Sequence, residues 1–129
     1  MAIKQFAQIL GVVLILIGIV GLLVLGNGVW LGILNSDTVE DIVHILTGAL
    51  LAYVGFGRTD LATARSLVLA LGVIYLVVGI LGFVVPMVFG LIPHGYTLFD
   101  DLLHLVLGIL SIAVALTAAG ASTARDARA

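Results

Sequence analysis

Asp41-Ile-Val-His44-Ile-Leu-Thr-Gly48 and Asp101-Leu-Leu-His104-Leu-Val-Leu-Gly108 are two copies of one pattern, Asp-x-x-His-x-x-x-Gly, set sixty residues apart. The apolar runs before them are matched as well. Gly11, Gly18 and Gly21 recur as Gly72, Gly79 and Gly82, each sixty-one residues on. A pair of apolar runs has therefore been written twice, which predicts two helical hairpins of like design. The first repeat covers about 6–56 and the second about 66–116, within a single membrane domain over 1–129.

The solvent for these hairpins is lipid. Hydrophobic residues make up 63% of the chain and charged residues only 9%, against about 25% charged in a soluble domain. Four runs, 6–26, 38–56, 62–85 and 98–118, each come near the length of about 20 apolar residues that crosses a bilayer. The fold class expected is all-α: an integral membrane four-helix bundle of two transmembrane hairpins. The first run exceeds the roughly 7–15 residues of a signal-peptide core and has a near-copy at 66–85, so it is expected to be a permanent span. There is no cysteine, which removes disulfides and thiolate metal ligands.

Two spans per half means that both halves enter the membrane in the same direction. Such parallel repeats are related by an axis along the membrane normal. Lys4, Arg58, Arg65, Arg125 and Arg128 all fall on one side of a four-span chain, and an excess of basic residues marks the cytoplasmic side. Both termini are thus expected in the cytoplasm, with Asp37, Glu40, Asp41, Asp100 and Asp101 at the outer end. The tail at 119–129 is small and polar and is expected to be flexible.

Local signals set the boundaries. Asp37 with Glu40, and Thr97 with Asp100, are capping pairs that open the second and fourth spans; Asp60 can cap the third, and Pro86 ends it. The connections at 29–34 and 87–92 are themselves apolar and carry Trp30 and, nearby, Tyr96, residues suited to the lipid–water interface. They are expected to lie there or fold over the bundle, since bare backbone cannot sit in hydrocarbon. His94, in Pro93-His94-Gly95, is expected to be a solvated turn residue. Glycines seven apart (Gly11 and Gly18, Gly72 and Gly79, Gly48 and Gly55) share a helix face. They either bring helices close, as small residues do in membranes, or make room for a flat ligand.

Chemistry concentrates in one place. His44 stands three and four residues from Asp41 and Glu40, and His104 likewise from Asp101 and Asp100, so each trio shares a helix face. At 1.5 Å per residue the imidazoles lie about 9–10 Å into the bundle from their helix starts, where ionisable groups normally face the interior. Three roles follow from this. The groups can form a structural network in a non-catalytic scaffold or accessory subunit of a larger membrane complex, the role the small size favours. They can form a ligand site of His44, His104, Asp41 and Asp101, supported by Glu40, Asp100, Gly48 and Gly108, in which the two histidines hold a haem, another tetrapyrrole or a single divalent metal. They can also act as a relay for protons or a small solute.

Several classes are set aside. No G-x-S-x-G, P-loop, dinucleotide fingerprint or H-E-x-x-H is present, so no enzyme is expected. Five basic residues on one side do not form a nucleic-acid surface. The partners expected are the bilayer, a second copy of the chain or a larger membrane complex.

The repeated His-x-x-x-Gly strings, each following an apolar outer connection, resemble a family of small bacterial four-span membrane proteins of unassigned function. In that family a polar residue, often Asn, stands three before each histidine; here Asp41 and Asp101 make both positions acidic. The resemblance covers about 6–116 and implies a bacterial inner-membrane protein. It implies no particular activity.

Overall fold

The structure is a computed structural model that describes residues 2–126, with 119–126 as backbone. Four helices account for most of it. Helix α1 runs Ile3–Val20 and widens into a π-helical turn over Gly21–Leu25. Helix α2 covers Thr38–Phe56, α3 Leu61–Val84 and α4 Leu98–Asp126. All four are long and apolar enough to span a membrane, the last over Leu98–Ala118. The boundaries expected for the second and fourth spans coincide with those observed. Helix α4 does not stop at 118: it continues to Asp126, through a segment rich in alanine, the strongest helix former. Residues 127–129 of the expected flexible tail lie outside the described residues.

Each hairpin is closed by glycine. A Cβ on Gly11 would stand 2.6 Å from the Ala52 nitrogen and 2.8 Å from the Gly48 carbonyl, so α1 and α2 touch backbone to backbone. In the second hairpin a Cβ on Gly72 would stand 2.8 Å from Ser111 and 3.1 Å from the Ile112 nitrogen. Gly18 abuts Asp41 and Ile45, and Gly79 abuts Asp101 and Leu105. These are corresponding positions, since Ala52, Asp41 and Ile45 lie sixty residues before Ile112, Asp101 and Leu105. Lipid gives helices no hydrophobic reason to associate, so this close fit supplies the attraction.

Between hairpins contact is sparser. Ala7, Leu10, Leu14 and Leu51 form one buried cluster with Ala64, Val68 and Leu71. At that end Lys4 Nζ donates to the Gly57 carbonyl at 3.0 Å, and Arg65 Nε to the Ala115 carbonyl at 3.0 Å. Asp37, Glu40, Asp41, Asp100 and Asp101 occupy the other end.

The caps divide. Asp60 accepts from the Thr63 amide at 2.8 Å, and this bond and the Thr63 hydroxyl hold its carboxyl below the ordinary carboxylate range. Thr97 and Asp100 form the reciprocal box, Thr97 N to Asp100 Oδ2 at 2.8 Å and Asp100 N to Thr97 Oγ1 at 3.3 Å. Asp37 occupies the N-cap of α2 but makes no capping bond. Asn27 replaces it, its side-chain oxygen accepting from Thr38 N at 2.9 Å.

The two connections at the acidic end differ. Strands β1 (Gly28–Trp30) and β2 (Leu34–Ser36) pair antiparallel, joining Gly28 to Ser36 and Trp30 to Leu34. Their turn needs positive φ at Leu31 (53°) and Gly32 (71°), the requirement of a type I′ hairpin turn. The second connection holds a single 3₁₀ turn, Val88–Gly90. The small hairpin was not foreseen, because its strands are too short to show alternation. Its backbone groups pair with each other, which meets the constraint expected of this segment.

Gly11→Val is expected to lower stability by about 1–3 kcal/mol through overpacking against α2 backbone. Leu16→Val, at a lipid-facing position 55% exposed, should cost less. Urea unfolding in detergent micelles checks the order.

Candidate functional site

His44 and His104 begin the seventh position of α2 and α4 respectively, and both rings turn toward the place where the two hairpins meet. Their centroids are 6.1 Å apart with planes 19° from parallel. Tyr75 of α3 stacks on both, at 6.5 Å from His44 and 5.7 Å from His104. Tyr96 tilts onto His104 at 5.0 Å. Glu40 approaches the same imidazole, Oε1 lying 3.8 Å from His104 Nε2. Glu40, His44 and His104 each offer one donor atom, and these atoms all lie within 4.8 Å of one another.

Glu40 is 6% exposed and is held by Asn35 Nδ2, which donates to Oε2 at 2.8 Å. That leaves Oε1 for the histidines. The Nδ1 atoms of both imidazoles are buried without a hydrogen-bond partner among the described residues, as is Asn35 Oδ1. Unpaired buried polar atoms cost about 1–3 kcal/mol each, so a group bound at this place would stabilise the fold.

The other acids go elsewhere. Asp41 and Asp101, expected to line the site, face their own hairpin partners: their carboxylates fill the space over Gly21 and Gly82. Ser36 Oγ donates to Asp41 Oδ2 at 3.2 Å, while Asp101 Oδ1 has no partner among the described residues. Asp100 is a structural acceptor for Asn35 N at 2.9 Å and Thr97 Oγ1 at 2.8 Å, tying β2 to the start of α4. Thr97 Oγ1 also donates to the Ile33 carbonyl. Of the four acids near the histidines, Glu40 alone joins the cluster. Gly48 and Gly108 leave no room for a ligand either, since Ile15 and Leu76 of the neighbouring helices press against them.

His94 is more than a solvated turn residue. Its ring is 44% exposed, yet Nδ1 sits 2.5 Å from Oδ1 of Asp37, which is 2% exposed, and its amide donates to Oδ2 at 3.2 Å. The second outer connection is thereby pinned to the start of α2. Nothing in the sequence separates this histidine from a solvated one, because its partner lies fifty-seven residues away.

Two cavities of about 160 Å³ flank the cluster. One lies between α1 and α4 and the other between α2 and α3, and both are lined by Glu40, His44 and His104. Sites for drug-sized molecules run to roughly 300–1,000 Å³, and the imidazoles already stack with Tyr75. A tetrapyrrole between them therefore does not fit; an ion does. A tetrahedral ion with bonds of about 2.0–2.2 Å holds its ligands about 3.4 Å apart, close to the 3.8 Å between His104 and Glu40.

Polar contacts toward the basic end stop early. Tyr75 Oη meets Thr47 Oγ1 at 2.8 Å, and Thr47 meets only helix carbonyls and Tyr75. Tyr53 points outward, 66% exposed. Burial keeps the Tyr96 hydroxyl above the ordinary phenol range, with Glu40 and Asp100 adding to it, so it stays protonated.

Compared with known proteins, the chain matches no family model, no curated protein and no solved structure.

His94→Ala should cost about 1–3 kcal/mol, more than a half-exposed side chain suggests, because the buried Asp37 loses its partner. Asp37→Ala combined with His94→Ala should cost less than the two single changes added. A double-mutant cycle on unfolding free energies tests the coupling.

Proposed function

We propose that this small membrane protein binds a divalent transition-metal ion at Glu40, His44 and His104. The observation that carries the reading is the convergence of two imidazoles and one carboxylate within 4.8 Å of one another, Glu40 and His104 buried and His44 half-buried, with both Nδ1 atoms unpartnered among the described residues. Imidazole with carboxylate suits zinc, iron and related ions rather than calcium or magnesium. Three protein ligands leave a fourth position for a small molecule. The reading assigns the chain no catalytic reaction.

The scaffold role expected from the chain's size is the second reading. It is supported by how little of each span is buried, between 28% and 33%, which leaves aliphatic faces for lipid or for another subunit. The glycines do not support it further, because they are covered within their own hairpins. The relay reading draws the least support, since the polar contacts end at Thr47.

The orientation proposed puts Lys4, Arg58 and Arg65 in the cytoplasm and the metal cluster toward the outer face. The resemblance of 6–116 to small bacterial four-span proteins makes the inner membrane the proposed location.

Elemental analysis of protein purified in mild detergent should find near-stoichiometric transition metal. His44→Ala with His104→Ala, and Glu40→Gln, should lose it, whereas Asp41→Asn and Asp101→Asn should keep it. Equal metal in all variants, or none in the wild type, would overturn the reading. For orientation, a cysteine at Leu31, 71% exposed at the tip of the β-hairpin, should react with an impermeant reagent on intact cells, and one at Ala62 should not.

A further inference from the structure

We propose that the cavity between α1 and α4 binds the ring of a membrane-dissolved phenol or hydroquinone carrying an apolar tail, which enters sideways from the lipid. The inference goes beyond the metal site and does not depend on it.

Near-symmetry supplies the first argument. On the α2–α3 side the chain provides its own phenol, Tyr96, tilted onto His104 at 5.0 Å. The corresponding position in the first half, sixty residues earlier, is Ser36. Its hydroxyl is bonded away to Asp41 at 3.2 Å, and it lines the α1–α4 cavity beside His44. Each cavity thus borders the histidines, but only the α2–α3 one carries a phenol from the protein; the α1–α4 one has Ser36 at the equivalent place.

Size and polarity agree with this. The cavity measures about 160 Å³, and an apolar cavity of about 150 Å³ holds a benzene ring. Leu14, Ile17, Leu103 and Leu107 form its apolar walls; Asn35, His44 and His104 stand at its polar end with the acceptors of Glu40, Asp41 and Asp100. Asn35 and His104 are 9% and 5% exposed, and Asn35 Oδ1 and His104 Nδ1 have no partner among the described residues. An amide oxygen can only accept, so the group that satisfies Asn35 must donate. A ring hydroxyl does so; a hydrocarbon does not.

Access fits a lipid-borne molecule. The aqueous end is covered by β2, which is bonded to Asp100 through Asn35 N and to Thr97 through the Ile33 carbonyl. The side is open: Ile17 and Leu103 at the rim are 48% and 41% exposed, at the depth of the membrane. A tail would lie along these residues in lipid while the ring occupies the cavity.

The test uses the full chain in mild detergent, treated with a chelator so that failure of the metal reading and failure of this one are seen separately. The probes are decylhydroquinone and decylbenzene, and the readouts are tritiated-probe binding and the shift in melting temperature. Decylhydroquinone should bind saturably and about tenfold or more tightly than decylbenzene, the discrimination expected where buried acceptors go unpaired. Ser36→Tyr, which supplies the missing phenol from the chain, should weaken decylhydroquinone binding by about tenfold or more while keeping the helical content of the wild type. Ile17→Trp, at the lipid-facing rim, should do the same by blocking entry. Equal affinity for the two probes, no saturable binding to the wild type, or undiminished binding in a folded Ser36→Tyr or Ile17→Trp variant would each overturn the proposal.

Discussion

Close backbone approach at glycine, within α1–α2 and again within α3–α4, is the constraint on which the other features rest. It lets two helices meet where lipid gives them no hydrophobic reason to do so. It also fixes rotation. Once Gly11, Gly18 and Gly21 face α2, the direction of every side chain on α1 is set, and the same holds for Gly72, Gly79 and Gly82 on α3. Asp41 and Asp101 are drawn into that contact because glycine is the one residue that leaves space for a carboxylate there. The residue before each aspartate, about 100° round the helix, is left to face the other hairpin. Glu40 meets the histidines for this reason, and Asp100 meets β2.

Buried acids at the membrane surface need partners, since an unpaired carboxylate is costly to remove from water. The chain supplies them from the opposite half for Asp100 and Asp37, and from the same half for Glu40. Asn35 serves Asp100 and Glu40, and His94 serves Asp37. The hairpins share a modest apolar contact near the basic end, so these bonds do much to set how they sit at the acidic end. The same bonds draw both connections at the acidic end over the bundle, which covers the histidines from that end and leaves the sides open.

This explains which parts were legible in the sequence. The spans could be read from length and composition, the caps at Asp60 and Thr97 from local pattern, and the histidine pair from its repetition. The choice between Glu40 and Asp41 could not, because both stand within one turn of His44 and spacing alone places them on the same face. Gly21 and Gly82 held the missing signal: a repeated glycine opposite a repeated aspartate is a packing pair. The bond between His94 and Asp37, and the place of Tyr75 beside both imidazoles, depend on which helices become neighbours. The short β-hairpin escaped because three residues per strand show no periodicity.

Repetition and its failure therefore carry different information. Gly11, Gly18, Gly21, Asp41 and their counterparts repeat, and they build hairpins. His44 and His104 repeat because they stand where the two halves meet. Asn35 and Ser36 in the first half are answered by Gly95 and Tyr96 in the second, and Glu40 by Asp100. These unmatched positions give the cluster one carboxylate instead of two, and put an amide beside one cavity and a phenol beside the other. A purely structural network would gain nothing from this difference, since a symmetric set of bonds would hold symmetric hairpins equally well. An outside ring would use it, because a ligand of low symmetry is bound best by unlike groups on its two sides.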